Sequence, residues 1–182
     1  MKVAYLDIET DYVGVCTDQQ LFSDFKNHSI TVLGARVMDG QEDLFFQLIG
    51  SQITKQELLQ ILSGVLKIVT YNGRSKPDLL KNRIGFDFPV IAAQLGVVLD
   101  EEFEHMDLVP ECWRRNLYGG QKKVEQKLGL QRTLPGKDGA WAGLAWRKYQ
   151  ETREEIHLNE LLTYNREDVF MLREIELRLQ KL

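Results

Sequence analysis

The first eight residues, M-K-V-A-Y-L-D-I, carry apolar side chains on both sides of an extended chain. Val3 and Tyr5 face one way, Ala4, Leu6 and Ile8 the other. A strand of this kind belongs in the middle of a covered sheet. Two further runs, I-T-V-L-G-A-R-V (30–37) and E-D-L-F-F-Q-L-I (42–49), are joined by the turn M-D-G-Q and predict an antiparallel meander. A helix is predicted over 54–64, with a Thr cap and a Gly end, then a fourth strand over 66–71 ending at the turn signal Asn72-Gly73. Beyond a polar loop come a helix from about 88 to 96, a short strand around H-M-D-L-V (105–109), helical segments, and a terminal helix from about Leu158 to Leu179. No internal repeat or low-complexity linker interrupts the 182 residues. They read as one domain, 1–182, of the α/β layered class, long enough to bury roughly 70% of the unfolded surface.

Polar residues in apolar places then demand an explanation. Asp7 and Glu9 break the opening strand, and its period of two aims both carboxylates to the side of Val3 and Tyr5. On the terminal helix the apolar stripe runs through Leu161, Leu172, Ile175 and Leu179. Asp168 lies on that stripe, seven residues from both Leu161 and Ile175, with Tyr164 one turn before it. Glu167, about 100° round the helix, suits a solvated ion pair. Asp87, in G-F-D-F-P-V-I, reads by itself as a helix N-cap before Pro89, a role compatible with catalysis. D-x-E recurs at Asp100 and Glu102, where an exposed loop is predicted, whereas F-D and Y-x-x-x-D each occur once.

Composition narrows the classes. Hydrophobic content of 43% and charged content of 27% suit a globular protein, and no stretch approaches the roughly 20 apolar residues of a membrane span. There is no signal-peptide pattern, and Cys16 and Cys112 lack ligand spacing, so a cytoplasmic location is expected. The net charge of −4 conceals an asymmetry: residues 114–153 hold ten basic and three acidic side chains, a local +7 that leaves the remainder at −11. Trp113, Tyr118, Trp141, Trp146 and Tyr149 lie within or beside that segment. Such a mixture suits a phosphate backbone with stacked bases, though alone it reads more readily as a solvated helical surface with core tryptophans. G-G-Q-K-K (119–123) lacks the spacing of a nucleotide loop, and His28, His105 and His157 are too scattered for a metal site.

In order along the chain, D-I-E-T, F-D and Y-N-R-E-D resemble the three exonuclease motifs of the DnaQ-like, DEDD-type nucleases of the ribonuclease H-like superfamily. Tyr164 in place of a histidine makes the chain similar to the DEDDy branch. T-Y-N-G (70–73), H-M-D-L-V (105–109), K-V-E-Q-K-L-G-L (123–130) and L-P-G…W-R-K-Y (134–149) resemble the YprB-type predicted exonucleases over nearly the whole length. The resemblance implies a mixed five-stranded sheet flanked by helices, its first three strands antiparallel. It also implies metal ligands at Asp7, Glu9, Asp87 and Asp168, with Tyr164 orienting the attacking water. One departure concerns the separation of fifteen positions from Asn72 to Asp87, which makes Asp78 a rival for the second motif. Asp87 is preferred, because an aromatic precedes it and an apolar helix follows. Arg74, Lys76, Lys81 and Arg83 of this insertion offer possible phosphate contacts or a solvated loop.

The implied chemistry accounts for the paired carboxylates. Two divalent ions, Mg²⁺ or Mn²⁺, take hard oxygen ligands, activate water and stabilise the leaving oxygen of a phosphodiester. The expected activity is 3′–5′ exonucleolytic hydrolysis of DNA or RNA, with a single-stranded 3′ end as the favoured substrate. The alternative is a non-catalytic nucleic-acid-binding module of the same fold. If the four carboxylates converge with no basic partner, the metal-free site is self-repulsive.

Overall fold

The computed structural model describes residues 1–14, 24–77 and 84–182. Its five-stranded sheet has the order β3-β2-β1-β4-β5. The strands are β1 (Val3–Tyr12), β2 (His28–Asp39), β3 (Glu42–Ile49), β4 (Lys67–Thr70) and β5 (Glu104–Asp107). β1–β2 and β2–β3 pair antiparallel, β1–β4 and β4–β5 parallel, so the meander expected for the first three strands is present within a mixed sheet. The central place of β1 follows from its alternation. Ala4, Leu6 and Ile8 enter one buried cluster, while Tyr5 enters another on the opposite face. Burying a side chain such as Leu6 contributes roughly 1.5–3 kcal/mol, and both faces gain from the same strand.

The first face is covered by α1 (Lys55–Ile61), α2 (Asp87–Leu95) and the single turn α3 (Leu99–Glu102), through Leu58, Phe88, Val90, Ile91 and Leu99. Local chemistry sets their ends. The Thr54 hydroxyl accepts from the Glu57 amide at 3.1 Å, as the predicted cap requires, and α2 stops where Gly96 turns left-handed. Asp100 and Glu102 lie in α3 rather than in a loop, and Asp100 accepts from the Ser75 amide at 3.0 Å. A carboxylate at the first turn of a helix is stabilised by the helix's own N–H dipoles, which the D-x-E pattern alone did not reveal.

The second face carries α4 (Leu108–Trp113), α5 (Gln121–Lys127), α6 (Gly139–Thr152) and the 25-residue α7 (Glu155–Leu179). The stripe predicted on the terminal helix is buried: Leu161, Leu172, Ile175 and Leu179 all face the core. α7 begins three residues earlier than the apolar pattern, because its first turn, Glu155–His157, holds no buried residue: even Ile156 is exposed. At β2 the helix comes very close to the sheet. A Cβ on Gly34 would stand 2.3 Å from Asn165 Oδ1 and 2.8 Å from Val169 Cγ2, so only a glycine admits α7 at this spacing. One β2 residue, Thr31, is extra in the ladder between Glu9–Val32 and Thr10–Ile30, and its hydroxyl ties the bulge to the Glu9 carbonyl at 3.1 Å. No helix among the described residues is long and apolar enough to cross a membrane.

Candidate active site

β1 pairs with β4 only over Val3–Tyr5, so Asp7 and Glu9 extend past the end of the parallel pair. They stand where β1 has a parallel neighbour on one side and an antiparallel one on the other. Crevices at the carboxyl ends of strands beside such a switch are where open α/β sheets bind ligands. α7 runs across the same end and brings in Tyr164, Asn165 and Asp168, all buried. Asp7, Glu9 and Asp168 each present an oxygen within 4.8 Å of the others, a set able to hold a metal ion. The hard carboxylate donors suit a divalent cation that prefers oxygen ligands.

Asp87 approaches from the opposite face of the sheet. It is the first residue of α2, not its N-cap: Phe86 holds that place, and no side chain caps the helix. The capping role is therefore corrected. A carboxylate one position inside the helix still sits near the dipole's positive end, but its oxygens are free of the cap geometry. Asp87 Oδ2 is buried and has no hydrogen-bond partner among the described residues. Asp87 lines the same cavity as Asp7, Glu9, Tyr164 and Asp168, a cleft of about 1070 Å³. It lies outside the three-carboxylate set, yet close enough for Asp7 to raise its pKa. An orphaned oxygen at the edge of an acidic cleft fits a cation that completes the cluster.

The insertion explains how Asp87 arrives there. Phe86 N donates to Asn72 O at 2.6 Å, Gly85 N to Arg74 O at 2.7 Å and Phe88 N to Gly73 O at 2.9 Å. These bonds close the neck of the loop, so residues far apart in sequence are neighbours and the Asn72 turn abuts Asp87. Gly85 is required in the neck, since a Cβ there would meet Asn72 O at 2.3 Å. Asp78, Lys81 and Arg83 lie outside the described residues. Arg74 is not available to phosphate: it is buried and its Nε donates to Asp107 at 2.9 Å.

Electrostatics push protons onto the cluster. Burial, then the neighbouring carboxylates, holds Asp7, Glu9 and Asp87 well above the usual carboxylate range. Asp168 is raised by burial and restrained by Lys122 and Arg132. Those two cations correct the expectation of a cluster without basic partners. Arg132 Nη2 donates to Asp168 Oδ1, and Lys122 Nζ stands 3.4 Å from both Asp168 oxygens. Lys122 also donates to the Tyr164 hydroxyl at 2.6 Å. Burial and the surrounding carboxylates raise the Tyr164 pKa far above its ordinary value, so the phenol stays protonated.

Supporting residues aim the ligands. Glu125, 1% exposed on α5, grips Arg132 with two bonds of 2.5 and 2.6 Å, which directs its guanidinium at Asp168. Asn165 Nδ2 donates to Asp7 Oδ2 at 2.9 Å, and Gln47 Nε2 fixes the Asn165 amide from β3 at 3.0 Å. Glu167 makes no ion pair among the described residues but accepts from the Thr133 amide at 2.7 Å, anchoring the chain just after Arg132. Sequence reading placed Lys122 in a basic run and in G-G-Q-K-K, Arg132 in the basic run, and Glu125 among the three acids of that segment, with no role in the site given to any of them. No periodicity or cap signal marks them as neighbours of the acids.

The fold and this cleft agree with the comparisons to known proteins. No curated protein matches the chain. The RNase_H_2 family model, described as RNase_H superfamily, matches residues 4–180, spanning β1 with its two carboxylates through α7 with the third. With almost the whole chain covered, and a mixed sheet presenting acids at its central strand, the protein belongs to the RNase H superfamily.

Proposed function

We propose that the chain is a DnaQ-like, DEDDy-type nuclease, hydrolysing phosphodiester bonds of DNA or RNA from the 3′ end. The convergence of Asp7, Glu9 and Asp168 from a strand and a helix onto one spot carries this reading. Asp7, Glu9, Asp87 and Asp168 would hold two divalent ions, Mg²⁺ or Mn²⁺. When bound, such ions activate water and stabilise the leaving oxygen.

The chain's own groups supply orientation. Lys122 donates to the Tyr164 oxygen, and the hydroxyl hydrogen has no acceptor among the described residues. It is free to bond a water in the cleft and fix its lone pair toward phosphorus. Asn165 restricts Asp7 to one rotamer, and Gln121, whose Nε2 donates to the Asp168 carbonyl at 2.9 Å, ties α5 to α7 beside the acids. Lys122, which lines the cleft, places positive charge where a phosphate would enter.

A second reading, a non-catalytic nucleic-acid-binding module, draws on the same two cations, since they already neutralise Asp168. End-labelled single- and double-stranded DNA and RNA, incubated with Mg²⁺, Mn²⁺ or EDTA and resolved on a sequencing gel, separate the two. The exonuclease reading expects metal-dependent shortening from the 3′ end. Binding without cleavage supports the module instead, and cleavage that persists in EDTA defeats the metal site.

A further inference from the structure

Beside the cleft lies a second, open depression of about 680 Å³, lined by Tyr118, Gly119, Lys123, Gln126 and Lys127. Gly119 lines both, so the two adjoin at that residue. α5 divides its side chains between them: Gln121 and Lys122 turn to Asp168, while Lys123 and Lys127, one turn apart, turn to the depression. No carboxylate lines it. Lys123 is exposed and makes no ion pair or hydrogen bond among the described residues. Lys127 donates to the Tyr118 carbonyl at 2.9 Å, and Tyr71 donates to the Gly119 carbonyl at 2.7 Å, which together brace the loop. Tyr118 itself is 52% exposed, a large ring held out toward solvent, its hydroxyl bonded to Asn116 at 3.0 Å.

We infer that this depression is a binding site for single-stranded nucleic acid, seating the nucleotides on the 5′ side of the one at the carboxylates. The inference rests on the nuclease reading and extends it to substrate length. A basic surface with a presented aromatic ring matches what a flexible strand offers, phosphates at regular intervals and bases with exposed faces. The other side of the cleft is a poorer exit. Asp11 and Asp138 line it, and Asp11 holds Arg147 in an ion pair at 2.6 Å, which leaves little free positive charge there. A strand leaving the acids therefore passes over Gly119, with one base on the Tyr118 ring and a phosphate at Lys123.

Binding in EDTA tests this without any need for hydrolysis. Fluorescence anisotropy would follow labelled trinucleotides and strands of about ten nucleotides, as DNA and as RNA, on the wild-type chain and on Tyr118→Ala and Lys123→Ala. The site predicts that Tyr118→Ala weakens the longer strand about tenfold, with trinucleotide binding unchanged and the same salt dependence. Lys123→Ala should reduce the slope of log K against log salt by about 0.7, the value for one lost phosphate contact on a single strand. DNA and RNA that respond alike mark a site for backbone and base faces; a Tyr118 effect confined to one of them assigns the site to that nucleic acid. Loss of short and long strands in equal measure, or no loss of either, overturns the site while leaving the nuclease reading to its own assay. Heparin binding with the same dependence on Tyr118 also overturns it, because a polyanion without bases has nothing to stack.

Discussion

Lys122 stands in two relations to Tyr164 at once: its ammonium donates to the phenol oxygen at 2.6 Å and lies 4.4 Å from the centre of the ring. The cation thus holds the ring by its face and the hydroxyl by its lone pair. With Tyr164 protonated, only the direction of the O–H bond is left to be set, and Lys122 sets it by occupying the acceptor side.

Tyr164→Phe keeps the ring and removes the hydroxyl. The single-turnover rate should fall on the order of 10²–10⁴-fold with divalent-ion affinity unchanged. Lys122→Met should reproduce part of that loss. A Phe variant with wild-type turnover would remove Tyr164 from the mechanism and with it the DEDDy assignment.

Asp87→Ala should abolish most activity and weaken Mn²⁺ binding measured by calorimetry. Its unpartnered Oδ2 has no structural bond to lose, so thermal stability should fall little or rise. Asp78→Ala should leave rate and metal affinity intact. If the two variants exchange behaviour, the second motif lies in the insertion.

The acid cluster makes the metal-free protein sensitive to pH. Burial and mutual repulsion raise the Asp7, Glu9 and Asp87 pKa values above those of the unfolded chain. The native state then keeps protons that the unfolded state has released. This contribution is complete below about pH 4, where unfolded carboxylates are protonated, and is lost as pH rises through the raised native values. In EDTA, Asp7→Asn should raise the melting temperature near pH 8 by about 2–4 °C, the response of a chain this size to roughly 1 kcal/mol. Lys122 and Arg132 already offset part of the repulsion, which keeps the gain small. Near pH 5 the difference should shrink. Mg²⁺ or Mn²⁺ should stabilise the wild type and have much less effect on the variant. A drop in the metal-free melting temperature of Asp7→Asn would show that the carboxylate is held by its partners more than it is repelled.

Glu125 and Arg132 form a buried pair whose guanidinium reaches Asp168. Glu125→Ala alone should destabilise the protein by about 3–5 kcal/mol, because it leaves a buried charge short of a partner. Adding Arg132→Met should recover much of that loss, a coupling that urea titration of the four species would read. Additive losses would mean that the two side chains act separately.

How far the sequence carried depended on whether a residue's role was local. β3 matches its predicted bounds, Glu42 to Ile49, because a period of two and a tight turn are written in adjacent positions. Thr54 was recognisable as a cap for the same reason, and Asp168 stood out because it interrupts an apolar helical stripe. Arg132 belongs to no periodic element; it lies in the irregular chain between α5 and α6, and its partners are 7 and 36 residues away. Glu125 follows Val124 on a short helix among lysines, and only the fold reveals that it faces inward. The neck of the insertion is likewise invisible locally, since its bonds join Asn72–Arg74 to Gly85–Phe88 across a gap that sequence spacing treats as separation.

Gly34 sits opposite Asp7 in the β1–β2 ladder, and on its other side α7 presses against the hydrogen that stands where a side chain would be. The residue contributes no ligand, yet the reach from Asp7 on the strand to Tyr164 and Asp168 on the helix is measured through it. Each carbon added there lifts the helix as a rigid lever and carries both residues away together. The site is thus calibrated by the thickness of a position that never meets substrate, and Gly34→Ala would read in an assay as damage to the acids while every acid remained in place.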